Sequence, residues 1–219
     1  MKFSQHNTSA ARWLVIDAAM TPFTIGILAG DGHWLTLRQD EKDAGALEAL
    51  QRGLDVALKE TNLRLENLTG FIYDCGPGSL LGTRLVCMLL RTLKTLPELA
   101  DKPVFAYKSL PFLLAAQNDE QAIALTPSRQ GQWCAFDHEH GWRELPTAEL
   151  ETLAQKNCLF MPQRKQWEAP PSFFKPIVQT PLAENPQALL NDTLLEKTDT
   201  PDVFVVRPAD YRAWIAPKN

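Results

Sequence analysis

The stretch 73–84 constrains the fold of this chain more than any other, because it joins an apolar run to an apolar helix through a glycine-rich loop. The loop glycines are Gly76, Gly78 and Gly82. They supply backbone freedom where the chain must turn sharply, and Pro77 fixes one φ angle in the turn. Ser79 or Thr83 is expected to cap the helix that follows. A strand, a tight loop and a helix are therefore predicted here.

Two interpretations of this loop are open. Backbone N–H groups at a helix N-terminus can hold an anion such as phosphate, or the glycines can simply allow a tight strand-to-helix connection. The glycine spacing matches neither the P-loop nor the dinucleotide-binding fingerprint.

The helix predicted at 83–96 is apolar on every side between residues 85 and 90. A surface helix carries an apolar stripe of limited width, so this helix needs cover on more than one side. Either it is a central core helix, or one side is covered by another protein.

Composition limits the classes of function. The 219 residues are 45% hydrophobic and 22% charged, as in ordinary globular proteins. A net charge of −4 and a pI near 5.6 argue against a dedicated nucleic-acid-binding protein. No apolar run approaches the roughly 20 residues that span a membrane, and the first residues are polar, so a cytoplasmic protein without membrane contact is predicted.

The cysteines are widely scattered and form no Cys-x-x-Cys pair. They are Cys75, Cys87, Cys134 and Cys158. Buried thiols are expected, rather than disulfides or a zinc site.

The order of elements in the first half predicts an α/β fold with a mixed sheet. Apolar runs at 13–17, 23–28 and 33–37 predict a three-stranded meander, and Asp43 is expected to cap a helix at 44–60. After the glycine loop and its helix, 103–107 predicts a further strand and Ser109 begins another helix. The result is a βββαβαβα order.

The helix at 44–60 carries two stripes at helical spacing. The leucines Leu47, Leu50, Leu54 and Leu58 are expected to face the sheet. The second stripe consists of the small residues Ala46, Ala49, Gly53 and Ala57. Small side chains allow close approach of the helix at 83–96 or of a partner, although alanine is also the best helix former.

The second half predicts a strand at 122–126, a strand pair at 133–137 and 142–145, and a last strand at 203–206. His138 and His140 in the turn of the pair form either a metal site or an ordinary exposed turn. The segment 162–186 has six prolines and is expected to be irregular. Its basic residues Arg164, Lys165 and Lys175 belong either to a tRNA contact or to a solvated loop.

The loop resembles that of the TsaB (YeaZ) family of bacterial tRNA threonylcarbamoyladenosine biosynthesis proteins, which are glycoprotease-like. The family loop reads Gly-Pro-Gly-Ser-Phe-Thr-Gly-Leu-Arg, and six of its nine positions match. The matching residues are Gly76, Pro77, Gly78, Ser79, Gly82 and Arg84. Weaker matches follow in the right order: Ile16-Asp17, Arg129 with Gly131, and Val206-Arg207-Pro208.

The resemblance implies an α/β fold of the ASKHA (actin-like ATPase, RNase H-like) class, with two related subdomains of mixed sheets flanked by helices, here 1–117 and 118–219. It also implies a noncatalytic subunit without metal or cofactor. Such a subunit pairs through the helices at 44–60 and 83–96 with a TsaD-like catalytic subunit, works with a TsaE-like ATPase and meets tRNA only through the complex. The expected interface residues are Ala46, Ala49, Gly53, Ala57, Leu85, Met88 and Leu89.

Departures from the family pattern bear on catalysis. Ala18 and Ala19 replace two hydroxyl residues, and Pro127 stands where the family has a second Asp. Asp17 is the acid that remains of a nucleotide site, so ATP hydrolysis is not expected. Two alternatives are an ASKHA-type phosphotransferase or ATPase acting at Asp17 and the glycine loop, and a homodimeric pseudoenzyme with another partner.

Overall fold

The structure is a computed structural model that describes residues 2–40, 45–117, 119, 121–161, 172, 175–176 and 181–206. The first half forms an antiparallel meander followed by alternating helices and parallel strands. Its elements are β1 (Arg12–Asp17), β2 (Phe23–Ala29), β3 (Trp34–Asp40), α1 (Ala46–Thr61), β4 (Gly70–Asp74), α2 (Leu80–Leu93), β5 (Val104–Tyr107) and α3 (Ser109–Gln117). The predicted βββαβαβα order is confirmed.

The helix α2 begins three residues earlier than predicted because Ser79 is its N-cap. The Ser79 hydroxyl accepts a hydrogen bond from the Gly82 N–H at 3.3 Å. Thr83 lies inside the helix, and its hydroxyl donates to the Ser79 carbonyl at 2.9 Å. The cap predicted for α1, Asp43, lies outside the described residues, and Gly45 precedes the helix.

The second half adds a smaller sheet and its covering helix. Its elements are β6 (Ile123–Arg129), β7 (Gln132–Asp137), β8 (Gly141–Pro146), α4 (Thr147–Ala154), β9 (Leu159–Met161), β10 (Lys175–Pro176), α5 (Pro181–Glu184) and β11 (Glu196–Lys197). Short 3₁₀ turns lie at Phe3–Gln5, Leu65–Asn67 and Pro186–Leu190.

Both sheets are mixed and flanked by helices, which confirms the predicted fold class. The larger sheet has the order β11-β5-β4-β1-β2-β3, with β1, β4 and β5 parallel to one another. The smaller sheet has the order β10-β9-β6-β7-β8. The segment around β11 returns to the larger sheet, and the subdomain boundary at 117/118 stays a prediction.

Helices bury both faces of the larger sheet. One face packs against α1 and α2, through core residues such as Leu50, Val86 and Leu90. On the other face, Phe112 of α3 packs with Leu182 and Leu189. Because α3 also packs against the smaller sheet, it joins the two sheets.

The final described segment, 201–206, is extended but pairs with no described strand, so the strand predicted at 203–206 is wrong. It crosses from α2 over the end of β4 to the smaller sheet. The Phe204 N–H donates to the Cys75 carbonyl at 2.7 Å, and the Phe204 ring lies 4.6 Å from that of Trp142. The segment thus packs over the glycine loop.

Within the described residues, no helix has both the length and the apolar character that crossing a bilayer requires.

Candidate functional site

The glycine loop packs directly on the turn that follows β1. The Ser79 N–H donates to the Ala19 carbonyl at 2.8 Å, so the backbones of loop and turn are in contact. Gly76 has a φ of +103°, a conformation that glycine adopts without strain. The loop therefore links β1, β4 and the start of α2.

Two of the glycines are needed because of this contact. A Cβ atom on Gly78 would lie 2.2 Å from the Ala19 carbonyl oxygen, and one on Gly82 would lie 2.2 Å from that of Ala18. Both distances are far below van der Waals contact. The two glycines accordingly have a packing role, as expected for a tight strand-to-helix connection.

Asp17 is fully buried and closes the turn after β1. Its Oδ1 atom accepts hydrogen bonds from the N–H groups of Ala19 and Met20 at 3.0 and 3.1 Å. Its Oδ2 atom accepts one from the Tyr107 hydroxyl at 3.2 Å. Burial raises the pKa of Asp17 to about 6.

Asp74 is a second buried carboxyl, to which the sequence analysis gave no role. Its Oδ1 atom accepts from the Gly76 N–H at 2.7 Å and from the Ser109 hydroxyl at 2.8 Å. It lies beside Asp17, because Ile16 of β1 pairs with Tyr73 of the parallel strand β4. Burial, followed by the charge of Asp17, raises the pKa of Asp74 well above its usual range.

A sequence signal for this pair exists. Asp17 and Asp74 each end a short apolar run, and parallel neighbouring strands bring their carboxyl ends to one sheet edge. The sequence does not show that β1 pairs with β4, and the signal can be used only once this pairing is known.

A cleft of about 180 Å³ lies between the glycine loop and the smaller sheet. It is lined by the loop, the start of α2, the strands β6 to β8 and the final segment: Cys75, Gly76, Pro77, Gly78, Leu80, Thr83, Pro127, Ser128, Cys134, Glu144 and 203–206. The charged side chain among these is that of Glu144, whose carboxylate lies 3.6 Å from the Arg129 guanidinium and accepts a hydrogen bond from the Ser128 hydroxyl at 3.3 Å. Asp17 does not line the cleft, because its carboxyl faces the interior.

An apolar face lies on α1 and α2, and we define it as the exposed residues Leu47, Leu81 and Met88 together with the half-buried Leu85. Leu81, Met88 and Leu47, with 67%, 63% and 62% of their surface exposed, are the three most exposed large apolar residues in the described part of the chain. Both helices start at the same sheet edge, since each follows one of the parallel strands β3 and β4. Leu47 and Leu81 lie in their first turns.

The structure separates the predicted interface residues into two groups. Met88 is exposed, whereas Leu85 and Leu89 are both half-buried against the core. The small residues Ala49, Gly53 and Ala57 are buried in the chain's own core and present no surface to a partner.

The sheet-facing side of α1 is therefore wider than predicted, because Leu50, Leu54 and Leu58 pack on the core as expected and the small residues are buried beside them. A Cβ atom on Gly53 would lie 2.4 Å from Cγ2 of Ile25, so the small stripe lets α1 approach β2 closely. Leu47 was expected to face the sheet and is exposed instead, which makes that prediction wrong. The side chain of Ala46 lies outside the described residues. Arg84 is exposed on α2.

The histidine turn contains an acid–base cluster centred on Asp137. Its Oδ1 atom lies 3.1 Å from Nδ1 of His140, and its Oδ2 atom contacts the Arg143 guanidinium. The His138 ring packs against Phe136 at 5.8 Å. In the described ranges, no group of His, Cys, Asp and Glu side chains is arranged to hold a metal.

The four cysteines are free thiols, and three of them are buried. Burial raises the pKa of Cys75 and of Cys134 to about 12, and that of Cys87 to about 11. Because the thiolate is the reactive form, these three thiols are poor nucleophiles at neutral pH. The basic residues Arg164 and Lys165 lie outside the described residues, as does the side chain of Lys175, so the tRNA contact there stays a prediction.

No protein-family model and no curated protein matches this sequence. Solved structures do match. An uncharacterised protein from Pseudomonas aeruginosa, described as similar to the peptidase YeaZ, has a TM-score of 0.53 at 18% identity, covering 69% of this chain and 74% of that one. This similarity confirms the predicted ASKHA-type fold.

Two further structures are more distant. YeaZ from Pseudomonas aeruginosa gives a TM-score of 0.48 at 19% identity, covering 63% of this chain and 65% of its own. The third structure is the cytoplasmic domain of EpsL, an inner-membrane component of the type II secretion system of Vibrio cholerae. It gives a TM-score of 0.36 at 11% identity, covering 83% of this chain and 96% of that one.

Proposed function

We propose that this chain is a noncatalytic, TsaB-like subunit that binds a TsaD-like catalytic subunit through the apolar face. In this role it supports threonylcarbamoyl transfer to adenosine 37 of tRNA, together with a TsaE-like ATPase. The fold similarity to a YeaZ-like protein and the glycine loop both support the proposal.

The apolar face is the observation that carries the proposal. Its members cluster on two adjacent helices, whereas single exposed apolar residues scattered over a surface would be ordinary. Covering a Leu or Met side chain contributes about 1.5 to 3 kcal/mol. A partner that buries Leu81, Leu85 and Met88 together therefore gains a substantial part of its binding free energy from this face.

The position of the acids supports a noncatalytic role. A phosphotransferase site needs carboxylates that hold Mg²⁺ against phosphate oxygens. Here Asp17 and Asp74 are buried beside each other and do not line the cleft, and the acid that does line it, Glu144, is paired with Arg129. These features disfavour the ATPase alternative.

The test is reconstitution of tRNA modification from the purified chain, a TsaD-like protein and a TsaE-like protein of the same cell, supplied with ATP and threonylcarbamoyl-AMP. The substitution Met88→Asp places a charge on an exposed member of the apolar face. We expect it to weaken partner binding at least tenfold, and to lower modification when the chain is limiting. Because Met88 is exposed, the variant is expected to fold normally.

The matched control is Leu96→Asp, an equally large change at an exposed leucine beyond the end of α2. It should leave modification unchanged. Two results would contradict the proposal: full modification without the chain, or a Met88→Asp variant as active as the wild type. A homodimer that Met88→Asp dissociates, with no effect on modification, would favour the homodimeric alternative.

A further inference from the structure

The ends of three parallel strands bring four polar side chains together beneath the glycine loop. Ile16 pairs with Tyr73, so the next residues along β1 and β4, Asp17 and Asp74, lie side by side. Asp74 in turn pairs with Tyr107 of β5. Ser109, the first residue of α3, completes the cluster. Neighbouring strands are about 4.8 Å apart, close enough for carboxyl groups to meet.

The groups around this carboxyl pair are all neutral or acidic. Asp17 interacts with the Tyr107 hydroxyl and Asp74 with the Ser109 hydroxyl. Cys75 adjoins the pair as a buried thiol. The ammonium of Lys108 is directed outward, where it binds Glu196 at 3.2 Å. No cation of the described chain thus contacts either carboxyl.

Two carboxylates on neighbouring strands and away from water repel each other strongly, and a proton between them removes the repulsion. We propose that Asp17 and Asp74 share a single proton, and that this proton fastens the glycine loop to the turn after β1. Loss of the proton loosens both segments and with them the start of α2. The carboxyl pair is a pH-sensitive joint in the fold.

The hydrogen bonds define what the joint controls. Asp17 holds the turn through the N–H groups of Ala19 and Met20, and Asp74 holds the loop through that of Gly76. The bond from the Ser79 N–H to the Ala19 carbonyl connects turn and loop. Ser79 is also the N-cap of α2, so a charge at the pair acts on the first turn of this helix. This inference concerns the isolated chain and does not depend on the proposed function.

The first test compares unfolding of the wild type and Asp74→Asn in urea between pH 6 and 8. The unfolded chain has ionised carboxyls in this range, whereas the folded wild type retains the shared proton. Its unfolding equilibrium constant should therefore rise about tenfold per pH unit from this pair. An amide keeps an acceptor for Gly76 and cannot ionise. The unfolding equilibrium constant of Asp74→Asn should lack this rise. The ratio of the wild-type constant to that of Asp74→Asn should therefore increase about 100-fold between pH 6 and pH 8.

The control is Asp55→Asn, which changes an exposed acid on α1 and should follow the pH dependence of the wild type. Parallel profiles for the wild type and Asp74→Asn would overturn the shared proton. If Asp74→Asn fails to fold, ¹³C NMR of the Asp carboxyl carbons in the wild type measures directly whether one of them keeps its proton. A carboxyl still protonated at pH 6.5 is expected, and complete ionisation of every Asp by pH 5 would refute the inference.

Hydrogen exchange tests the joint itself. Opening of the turn and loop releases the shared proton, so opening becomes more frequent as the pH rises. After correction for the pH dependence of the exchange chemistry, the N–H groups of 18–21 and those of 75, 76, 78 and 79 should therefore exchange faster at pH 8 than at pH 6 in the wild type. They should show no such change in Asp74→Asn. Equal behaviour of the two proteins would refute the coupling between the proton and the loop.

Discussion

At the scale of single residues, two glycines set how closely the loop approaches the turn after β1. Gly78 and Gly82 face the carbonyl oxygens of Ala19 and Ala18, and neither site has room for a Cβ atom. These atoms belong to backbone, which cannot move aside as a flexible side chain can. The glycine pattern that identified the loop in the sequence is therefore explained by packing.

We predict that Gly78→Ala and Gly82→Ala each lower the free energy of unfolding by about 1 to 3 kcal/mol, because the added methyl group displaces backbone. Urea denaturation measures this effect. The control is Gly45→Ala at the start of α1, where nothing lies within 4 Å of the added Cβ atom. Its change should stay below about 1 kcal/mol. Equal stabilities of all three variants would show that the close approach is not needed.

At the scale of elements, the sequence predicted the two-sided character of α2 and most of the sheet-facing side of α1. Val86 and Leu90 of α2 are buried while Met88 is exposed, as expected for a helix that is apolar all round. On α1, Leu50, Leu54 and Leu58 pack on the core as predicted, but the stripe of small residues is buried as well. Periodicity alone does not show this, because it depends on how closely Gly53 lets the helix approach Ile25.

The final segment, 201–206, shows a different limit of sequence reasoning. Its apolar residues predict a strand, yet it is held by side chains of the larger sheet and of α2. The Tyr73 hydroxyl donates to the carbonyl of Asp202 and accepts from its N–H, both at 3.0 Å, and Nε of Arg91 donates to the Pro201 carbonyl at 2.7 Å. These partners are more than 100 residues away in the chain.

We expect Tyr73→Phe to loosen this segment, since it removes one hydroxyl that bonds to both backbone groups of Asp202. A loss of about 1 kcal/mol corresponds to roughly fivefold faster amide exchange in 201–206. Hydrogen exchange with mass spectrometry measures it. Thr36→Val removes a hydroxyl from β3, at the far edge of the larger sheet, and should leave exchange in 201–206 unaffected. Unchanged exchange in Tyr73→Phe would mean that the other contacts suffice to hold the segment.

At the scale of the whole molecule, two mixed sheets joined by α3 enclose a cleft and leave one apolar face on the outside. The order of elements could be predicted because each strand is a local apolar run bounded by turn residues. The carboxyl pair could not be predicted, because Asp17 and Asp74 meet only when β4 pairs with β1. The strands β2 and β3 lie between these two in the sequence, although β4 and β1 are neighbours in the sheet.

Binding of a TsaD-like protein through the apolar face is tested by the mass in solution of the chain, alone and mixed with a TsaD-like protein of the same cell. Size exclusion with light scattering gives both masses. We expect a new species heavier than the partner by the 24.6 kDa of this chain, or by a multiple of it, which the Met88→Asp variant does not form. Two separate species with unchanged masses, at concentrations of both proteins well above the micromolar range, would contradict it.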